Sequence, residues 1–214
     1  MQNRRPVRNL LIGLLATVLA SSISPTTRPA VLSYRILHAS KLFLEGTTNV
    51  NTFICKCDCV QSLPTLQFEM DVKKEGQEAI FEEAQLNIRT KDLDCGNRGM
   101  NKDLHETLKA GEYPSIGITI LEAGLLPDEK LACGEEWAHI TTRARLTVAG
   151  VGRNVLLRVK ARQTSPETYR FQSQYTIKMT DFDIEPPTAM LGLIKVNDEI
   201  EIHFDLTVAV EQAG

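Results

Sequence analysis

Apolar and polar residues alternate along one segment of this chain after another. In the clearest case, from Ile200 to Val208, every second residue is apolar, and the residues between are Glu201, His203, Asp205 and Thr207. Alternation with a period of two sends successive side chains to opposite faces of a strand, so one face can pack on a core while the other meets water. The same alternation occurs in seven further segments: 42–44, 68–72, 86–88, 116–120, 146–148, 155–159 and 175–179. The sequence therefore predicts half-buried antiparallel strands.

One segment, "GMNKDLHETLKAGEYP", has a helical pattern instead. Met100, Leu104 and Leu108 are spaced by four, Asn97 or Asn101 can cap the start, and a glycine and a proline follow. Many strands with a single short helix favour an all-β sandwich or barrel. A closed barrel of about eight strands has an interior that is either filled by side chains or holds one small ligand.

The first 24 residues are typical of a secretory signal peptide. Three arginines precede an apolar run from Leu10 to Ala20, and small residues follow it. That run is too short for a transmembrane helix, which needs about 20 residues. We therefore expect a leader at residues 1–24, a linker at 25–33 and one folded domain at 34–212, located in the periplasm or outside the cell.

The net charge excludes one class of partner. The full chain has a formal charge of -3, and cleavage of the leader would remove three arginines and no acidic residue, which leaves -6. A chain with this excess of acidic residues has no electrostatic basis for gripping phosphate backbones. We therefore expect no nucleic-acid partner.

Three of the five cysteines stand at alternate positions, Cys55, Cys57 and Cys59. A strand rises about 3.3 Å per residue, so Cys55 would lie about 6.6 Å from Cys57 and about 13 Å from Cys59. A zinc ion bonded to sulfur at about 2.3 Å needs its ligands much closer. Thiol catalysis lacks support as well, because the chain has no Cys-x-x-Cys motif and its four histidines are scattered. The pattern predicts no metal site, no catalytic residue and no cofactor.

Four segments carry a family resemblance. "YRILHASKLFLEGTTNVNTFICKC" contains Ser40, Leu42 and Leu44 in a first-strand pattern, and "LNIRTKDLDCGNRGMNKDLHETLKAGEYPSIGITI" has the order strand, polar turn, short helix and Tyr-Pro-x-Ile strand. "RARLTVAGVGRNVLLRV" has a Leu-Thr-x-x-Gly-Val hairpin with its predicted turn at "GVGRN", and "YTIKMTDFDIEPP" contains Asp-Phe. In this order, from Tyr34 to Val208, they resemble the YceI-like family of exported, polyisoprenoid-binding proteins. The cysteines and "EPPTAMLGLIK" depart from the family pattern.

The resemblance implies an eight-stranded antiparallel lipocalin-like β-barrel with one short α-helix, and a binding protein rather than an enzyme. The expected partner is an isoprenoid or another long-chain lipid, sequestered or carried in an apolar interior. Transient membrane contact and a homodimer are left open. Strand phase together with the resemblance gives nine candidate ligand-binding residues: Leu42, Leu44, Phe53, Ile116, Ile118, Val148, Leu157, Ile177 and Phe204.

The resemblance also implies a disulfide. Cysteines on one strand are too far apart to bridge easily, and Cys95 and Cys133 are the two cysteines outside the cluster. The segments of Cys55 and Cys95 fall at corresponding strand ends in the resembled fold, which implies a Cys55–Cys95 bond. A second pair, Cys57 or Cys59 with Cys133, is implied more weakly, and one thiol is left over.

Two other functions stay open at this point. A periplasmic redox or metal-handling protein would use the thiols of "CKCDC", residues 55–59. A barrel filled with side chains would instead act as a structural or interaction module. The state of the thiols and the content of the barrel interior distinguish these hypotheses from lipid binding.

Overall fold

The computed structural model describes residues 29–57, 63–73 and 77–212, so the expected leader at 1–24 and Cys59 lie outside the described residues. The strands are β1 (Ala30–Ile36), β2 (Lys41–Thr48), β3 (Thr52–Cys57), β4 (Leu66–Lys73), β5 (Glu78–Glu82), β6 (Gln85–Arg89), β7 (Leu93–Asp94), β8 (Ser115–Leu125), β9 (Ala138–Val148), β10 (Val151–Ser165), β11 (Thr168–Lys178), β12 (Thr188–Ala189) and β13 (Ile194–Gln212). One α-helix, α1, spans Arg98–Thr107. Because β1 begins at Ala30, residues 30–33 of the expected linker are part of the folded domain.

Eight strands form a closed antiparallel ring. The hydrogen-bonded order is β1, β4, β5, β8, β9, β10, β11 and β13, and β13 pairs back to β1 between Ile36–Leu32 and Val208–Gln212. Closure pairs the first strand of the sheet with the last, which is the usual way for a small antiparallel sheet to limit its free edges. The predicted eight-stranded antiparallel barrel with one short helix is confirmed.

Three neighbouring positions of the barrel wall are each built from two strand segments. Both β1 and β2 pair with the long strand β13. At the next position β4 pairs with β1 and β3 pairs with β2, and at the third position β5 and β6 both pair with β8. The remaining five positions are single strands. Each of the eight alternating segments found in the sequence falls in a different wall position, in β2, β4, β6, β8, β9, β10, β11 and β13.

The core lies inside the ring. On β9 and β10 the buried residues stand at alternate positions, and those that face inward include Leu146, Val148, Val155, Leu157 and Val159. The residues between them are mostly exposed and polar. This is the division of faces that a period of two produces when a sheet closes on itself.

The turn between β9 and β10 has two residues. Val148 pairs with Val151, and Ala149 and Gly150 between them have φ of 48° and 80°. The predicted turn at "GVGRN" is therefore wrong in position, because residues 151–154 already belong to β10. A Cβ at Gly150 would collide with the ring of Tyr113, so the close approach of the segment after α1 requires glycine here.

Helix α1 lies at the end of the barrel where β8 begins and β9 ends. Asn97 is its N-cap, and the side-chain oxygen of Asn97 accepts hydrogen bonds from the backbone N–H groups of Gly99 at 2.8 Å and Met100 at 3.3 Å. Of the two caps the sequence allowed, Asn97 is the one used. In the part of the chain that the structure describes, no helix is long and apolar enough to cross a membrane.

An ion pair joins β11 to β13 on the outer wall. Asp205 accepts hydrogen bonds from Arg170 Nε at 2.7 Å and Nη2 at 2.5 Å, and from Gln172 Nε2 at 2.9 Å. The hydrogen bond from Arg170 is the largest cause that lowers the pKa of Asp205 below its ordinary value, and Gln172 adds to it. A carboxylate with a lowered pKa stabilises the fold above its unfolded-state pKa, and this contribution is lost as the pH falls through the folded-state pKa.

We expect Asp205→Asn to lower the free energy of unfolding by about 1 kcal/mol at pH 7, because the pair is bidentate but half-exposed. At pH 2.5 the difference from the native chain should shrink, since the native carboxyl is then being protonated as well. Urea unfolding at both pH values measures it, with Glu211→Gln, an exposed carboxylate of β13, as the control. An equal deficit at both pH values would contradict the assignment.

Candidate functional site

The barrel encloses a cavity of about 540 Å³. Its wall is formed almost entirely by carbon, from inward side chains of the eight wall positions and from one side of α1. Pockets for small ligands in proteins have about 300–1,000 Å³ and are mainly apolar. The interior is therefore not filled by side chains, whereas the hypothesis of a purely structural module requires a filled interior.

All nine candidate ligand-binding residues line this cavity: Leu42, Leu44, Phe53, Ile116, Ile118, Val148, Leu157, Ile177 and Phe204. Their contact with a ligand stays a prediction. Alternation on the same strands also places Leu206 and Ile202 in the lining, and the sequence carried that signal. Phe171 and Tyr175 line it as well, in register with β13 at Leu206 and Ile202.

Three aromatic rings line the end of the cavity that lies away from α1. Tyr34 of β1 contacts Phe68 of β4 edge to face, with 5.7 Å between the ring centroids. The ring centroids of Phe68 and Phe81 of β5 are 5.9 Å apart. The Tyr34 hydroxyl donates a hydrogen bond to the carbonyl oxygen of Gln85. Burial raises the pKa of Tyr34 to about 12, so the phenol stays neutral below strongly alkaline pH. This end therefore offers an uncharged surface to a ligand.

The cavity opens at the α1 end. Asn51, Met100, Asp103 and Thr188 line the cavity and are also exposed to solvent. They belong to the β2–β3 turn, to α1 and to β12, which all lie where β11 ends and β13 begins. A few polar groups thus gather at the opening of an otherwise apolar chamber.

Helix α1 covers part of this opening with its apolar side. Met100, Leu104 and Leu108, the stripe that predicted the helix, all line the cavity, and Leu108 is buried. Thr107 and Asp103 are the polar residues of the helix on the same side. Helix α1 thus covers part of the cavity opening. Its position depends on the contacts that hold the segment before it.

A disulfide holds that segment. Cys55 of β3 is bonded to Cys95, which lies between β7 and α1, and both residues line the cavity. The backbone N–H of Cys95 also donates to Asn101 Oδ1 at 2.7 Å, and Asn101 Nδ2 donates to Asp94 Oδ1 at 2.8 Å. The predicted Cys55–Cys95 bond is present, and it fixes the start of α1 to the barrel wall.

The second predicted disulfide is wrong. Cys133 is exposed and has a free thiol, whereas Cys57 is disulfide-bonded, so Cys57 is not paired with Cys133. Cys133 lies in the loop between β8 and β9, at the end of the barrel away from α1. Its backbone forms an isolated β-bridge with Gln163 of β10. Strands β3 and β10 stand on opposite sides of the ring, so no thiol of β3 can reach it. A redox or metal site built from the cysteine cluster would need free thiols that Cys55 and Cys57 do not have.

One group of ionisable side chains on the outer wall comes close enough together to share a cation. Within the described residues, the ligand atoms of Glu45, Glu201 and His203 lie within 4.8 Å of one another. His203 Nε2 lies 3.0 Å from Glu201 Oε2, and the His203 ring stacks on Phe43 at 4.4 Å. Hydrogen bonding and stacking account for these positions, and the group does not face the cavity.

The comparisons with known proteins decide the family. A family model described as the YceI-like domain matches residues 41–208, which is most of the chain.

The chain belongs to the YceI-like family.

Solved structures with the same fold as this YceI-like domain include a polyisoprenoid-binding domain from Saccharophagus degradans. The two chains share 18% identity with a TM-score of 0.60, and the match covers 83% of this chain and 98% of the other. BcnA of Burkholderia cenocepacia is 21% identical with a TM-score of 0.53, and the match covers 80% of this chain and 96% of BcnA. At these identities the likeness shows the fold. A comparison with curated proteins found no match.

Proposed function

We propose that this YceI-like domain binds an isoprenoid or a similar long-chain lipid inside the barrel and sequesters or carries it outside the cytoplasm. The observation that carries the proposal is the cavity of about 540 Å³, walled by carbon and open at one end. Membership of the YceI-like family supports it, as does the fold shared with a domain described as polyisoprenoid-binding.

Burial of the tail would supply the affinity. Each methylene moved from water into an apolar environment contributes about 0.8 kcal/mol, so ten of them contribute about 8 kcal/mol before the costs of association. The aromatic end of Tyr34, Phe68 and Phe81 would receive the far end of the tail. Polar side chains at the opening, Asn51, Asp103 and Thr188, would lie beside the head group. Such a site binds and orients an amphiphile, and we propose no reaction for it.

Native mass spectrometry of the purified protein tests the proposal. We expect a mass above that of the polypeptide, and extraction of the bound molecule should yield a long-chain lipid. After delipidation, the protein should take up solanesol, a long-chain polyprenol, from detergent micelles. The same spectra give the number of chains per particle, for which the sequence leaves a homodimer open.

A polypeptide mass without any bound molecule, together with no uptake of solanesol, would contradict the proposal. Octaethylene glycol dodecyl ether, the micelle detergent, serves as the control ligand, because a barrel that admits any chain should bind it equally well. A preference for solanesol over this detergent is the expected result.

A further inference from the structure

The four most exposed large apolar side chains in the described part of the chain lie together at the barrel opening. They are Val50, at 65% exposure, Met190 at 69%, Leu191 at 106% and Leu193 at 74%. We call them the apolar rim. Single exposed apolar residues are ordinary on protein surfaces, but a contiguous group marks a contact surface.

The rim is one ordered surface formed by two hairpins. β12 pairs with the start of β13, and Met190–Leu193 connect the two strands. Asn49 of the β2–β3 turn joins them, because Asn49 Nδ2 donates to the Leu193 carbonyl at 3.0 Å and the Lys195 N–H donates to Asn49 Oδ1 at 2.9 Å. The backbone N–H of Asn49 also donates to the Lys195 carbonyl at 3.0 Å. Val50 is thereby held beside the tip of the second hairpin.

The backbone conformation of the turn does not favour the large apolar residues Met190 and Leu191. Met190 and Leu191 have φ of 50° and 57°, and the Gly192 N–H donates to the Ala189 carbonyl at 3.1 Å, which closes a tight turn around them. Turns with positive φ at both central residues favour Asn-Gly or Asp-Gly. Two large apolar residues stand there instead, with their side chains in water.

The two hairpins also lack charge. Residues 46–54 and 186–194 contain no ionisable side chain, although charged residues make up 24% of the chain. Charged groups carry the largest cost when a surface leaves water. The rim is therefore suited to leave water without desolvating a charge.

The rim is continuous with the cavity. Pro187, Thr188, Ala189 and Ile194, which flank the exposed tip, all line the opening. We propose that the apolar rim inserts into the boundary between head groups and acyl chains of a lipid bilayer, so that the ligand's tail moves between bilayer and cavity without entering water. This inference rests on the proposed function. Because a long-chain lipid resides in a bilayer, a bilayer rather than another protein is the occupant that this surface would meet.

The chemistry of the rim sets the kind of membrane binding expected. Apolar insertion reaches about 5–10 Å into the interface and depends on buried apolar area. With no basic residue in the rim and an excess of acidic residues in the chain, attraction to anionic lipids contributes little. Binding to vesicles of phosphatidylcholine should therefore persist at high salt.

Flotation with phosphatidylcholine vesicles tests the inference. We expect the native protein to bind, and the triple variant Met190→Ser, Leu191→Ser and Leu193→Ser to bind about tenfold more weakly. The matched control is Leu156→Ser, which removes a leucine that is 58% exposed on the outer wall of β10 and should leave binding unchanged. Transfer of solanesol from vesicles to the protein should slow about tenfold in the triple variant only.

Uptake of solanesol from detergent micelles separates the two proposals. The triple variant should load from micelles as well as the native protein, which also shows that it is folded. The inference would be overturned if the native protein loads from micelles but does not float with vesicles. It would also be overturned if the triple variant floats normally, or if the triple substitution abolishes only a complex with another protein. Failure of both proteins to load from micelles would instead overturn the proposed function.

Discussion

Replacement of both Ile118 and Ile202 by tryptophan should weaken solanesol binding by about 100-fold, the loss expected when three or four methylenes no longer fit. Ile118 lies on β8 and Ile202 on β13, four positions apart in the eight-stranded ring, so the two indoles enter the cavity from opposite walls. Both isoleucines are only half-buried because they face the cavity. The new rings therefore occupy ligand space instead of displacing packed side chains.

Leu156→Trp, which places the same ring on the outer face of β10, is the matched control and should bind solanesol normally. Thermal unfolding of the double variant without ligand should match or exceed that of the native protein, because the added apolar area is buried. Unchanged solanesol binding by a folded double variant would show that the ligand does not lie in the barrel interior.

Removal of the disulfide by Cys55→Ala together with Cys95→Ala should lower the free energy of unfolding by about 2–4 kcal/mol. The bond closes a loop with a sequence separation of 40, so its loss frees a large segment of the unfolded chain. Cys55 is fully buried, and the small alanine also leaves space against the core. For a chain of this size the thermal midpoint should fall by roughly 10 °C.

Both cysteines are replaced because a single substitution would leave a thiol able to exchange with other disulfides. Cys133→Ala, which removes the exposed free thiol, is the control and should leave the midpoint unchanged. Alkylation of the unreduced native protein should modify Cys133 and leave Cys55 and Cys95 unmodified. A midpoint within 1 or 2 °C of the native value in the double variant would show that the bond contributes little to the fold.

Alternation of apolar residues predicted the wall of the barrel because closure turns every second side chain inward, whatever the details of packing. The same signal is present in β1, where Leu32, Tyr34 and Ile36 alternate, but the neighbouring prolines and threonines of residues 25–30 give this region the composition of a linker. Its place in the wall depends on the pairing of β13 with both β1 and β2, which the sequence does not specify.

Other features depend on three-dimensional placement and could not be predicted. An inward residue lines a cavity or fills a core depending on strand tilt and stagger, which the alternation does not specify. The distance between Cys57 and Cys133 depends on their positions around the ring. "EPPTAMLGLIK" departs from the family pattern, yet the exposure of Met190, Leu191 and Leu193 follows from their place at the tip of the β12–β13 hairpin.

The two sides of the barrel wall are built differently. From β8 through β13 each wall position is a single strand, although the β8–β9 and β10–β11 ladders each contain a register shift, and β10 and β11 pair only between residues 160–165 and 168–172. The three consecutive positions built from β1 and β2, β3 and β4, and β5 and β6 are each divided between two strand segments. A ligand bulkier than the cavity is therefore expected to spread the barrel where the wall is divided into shorter segments.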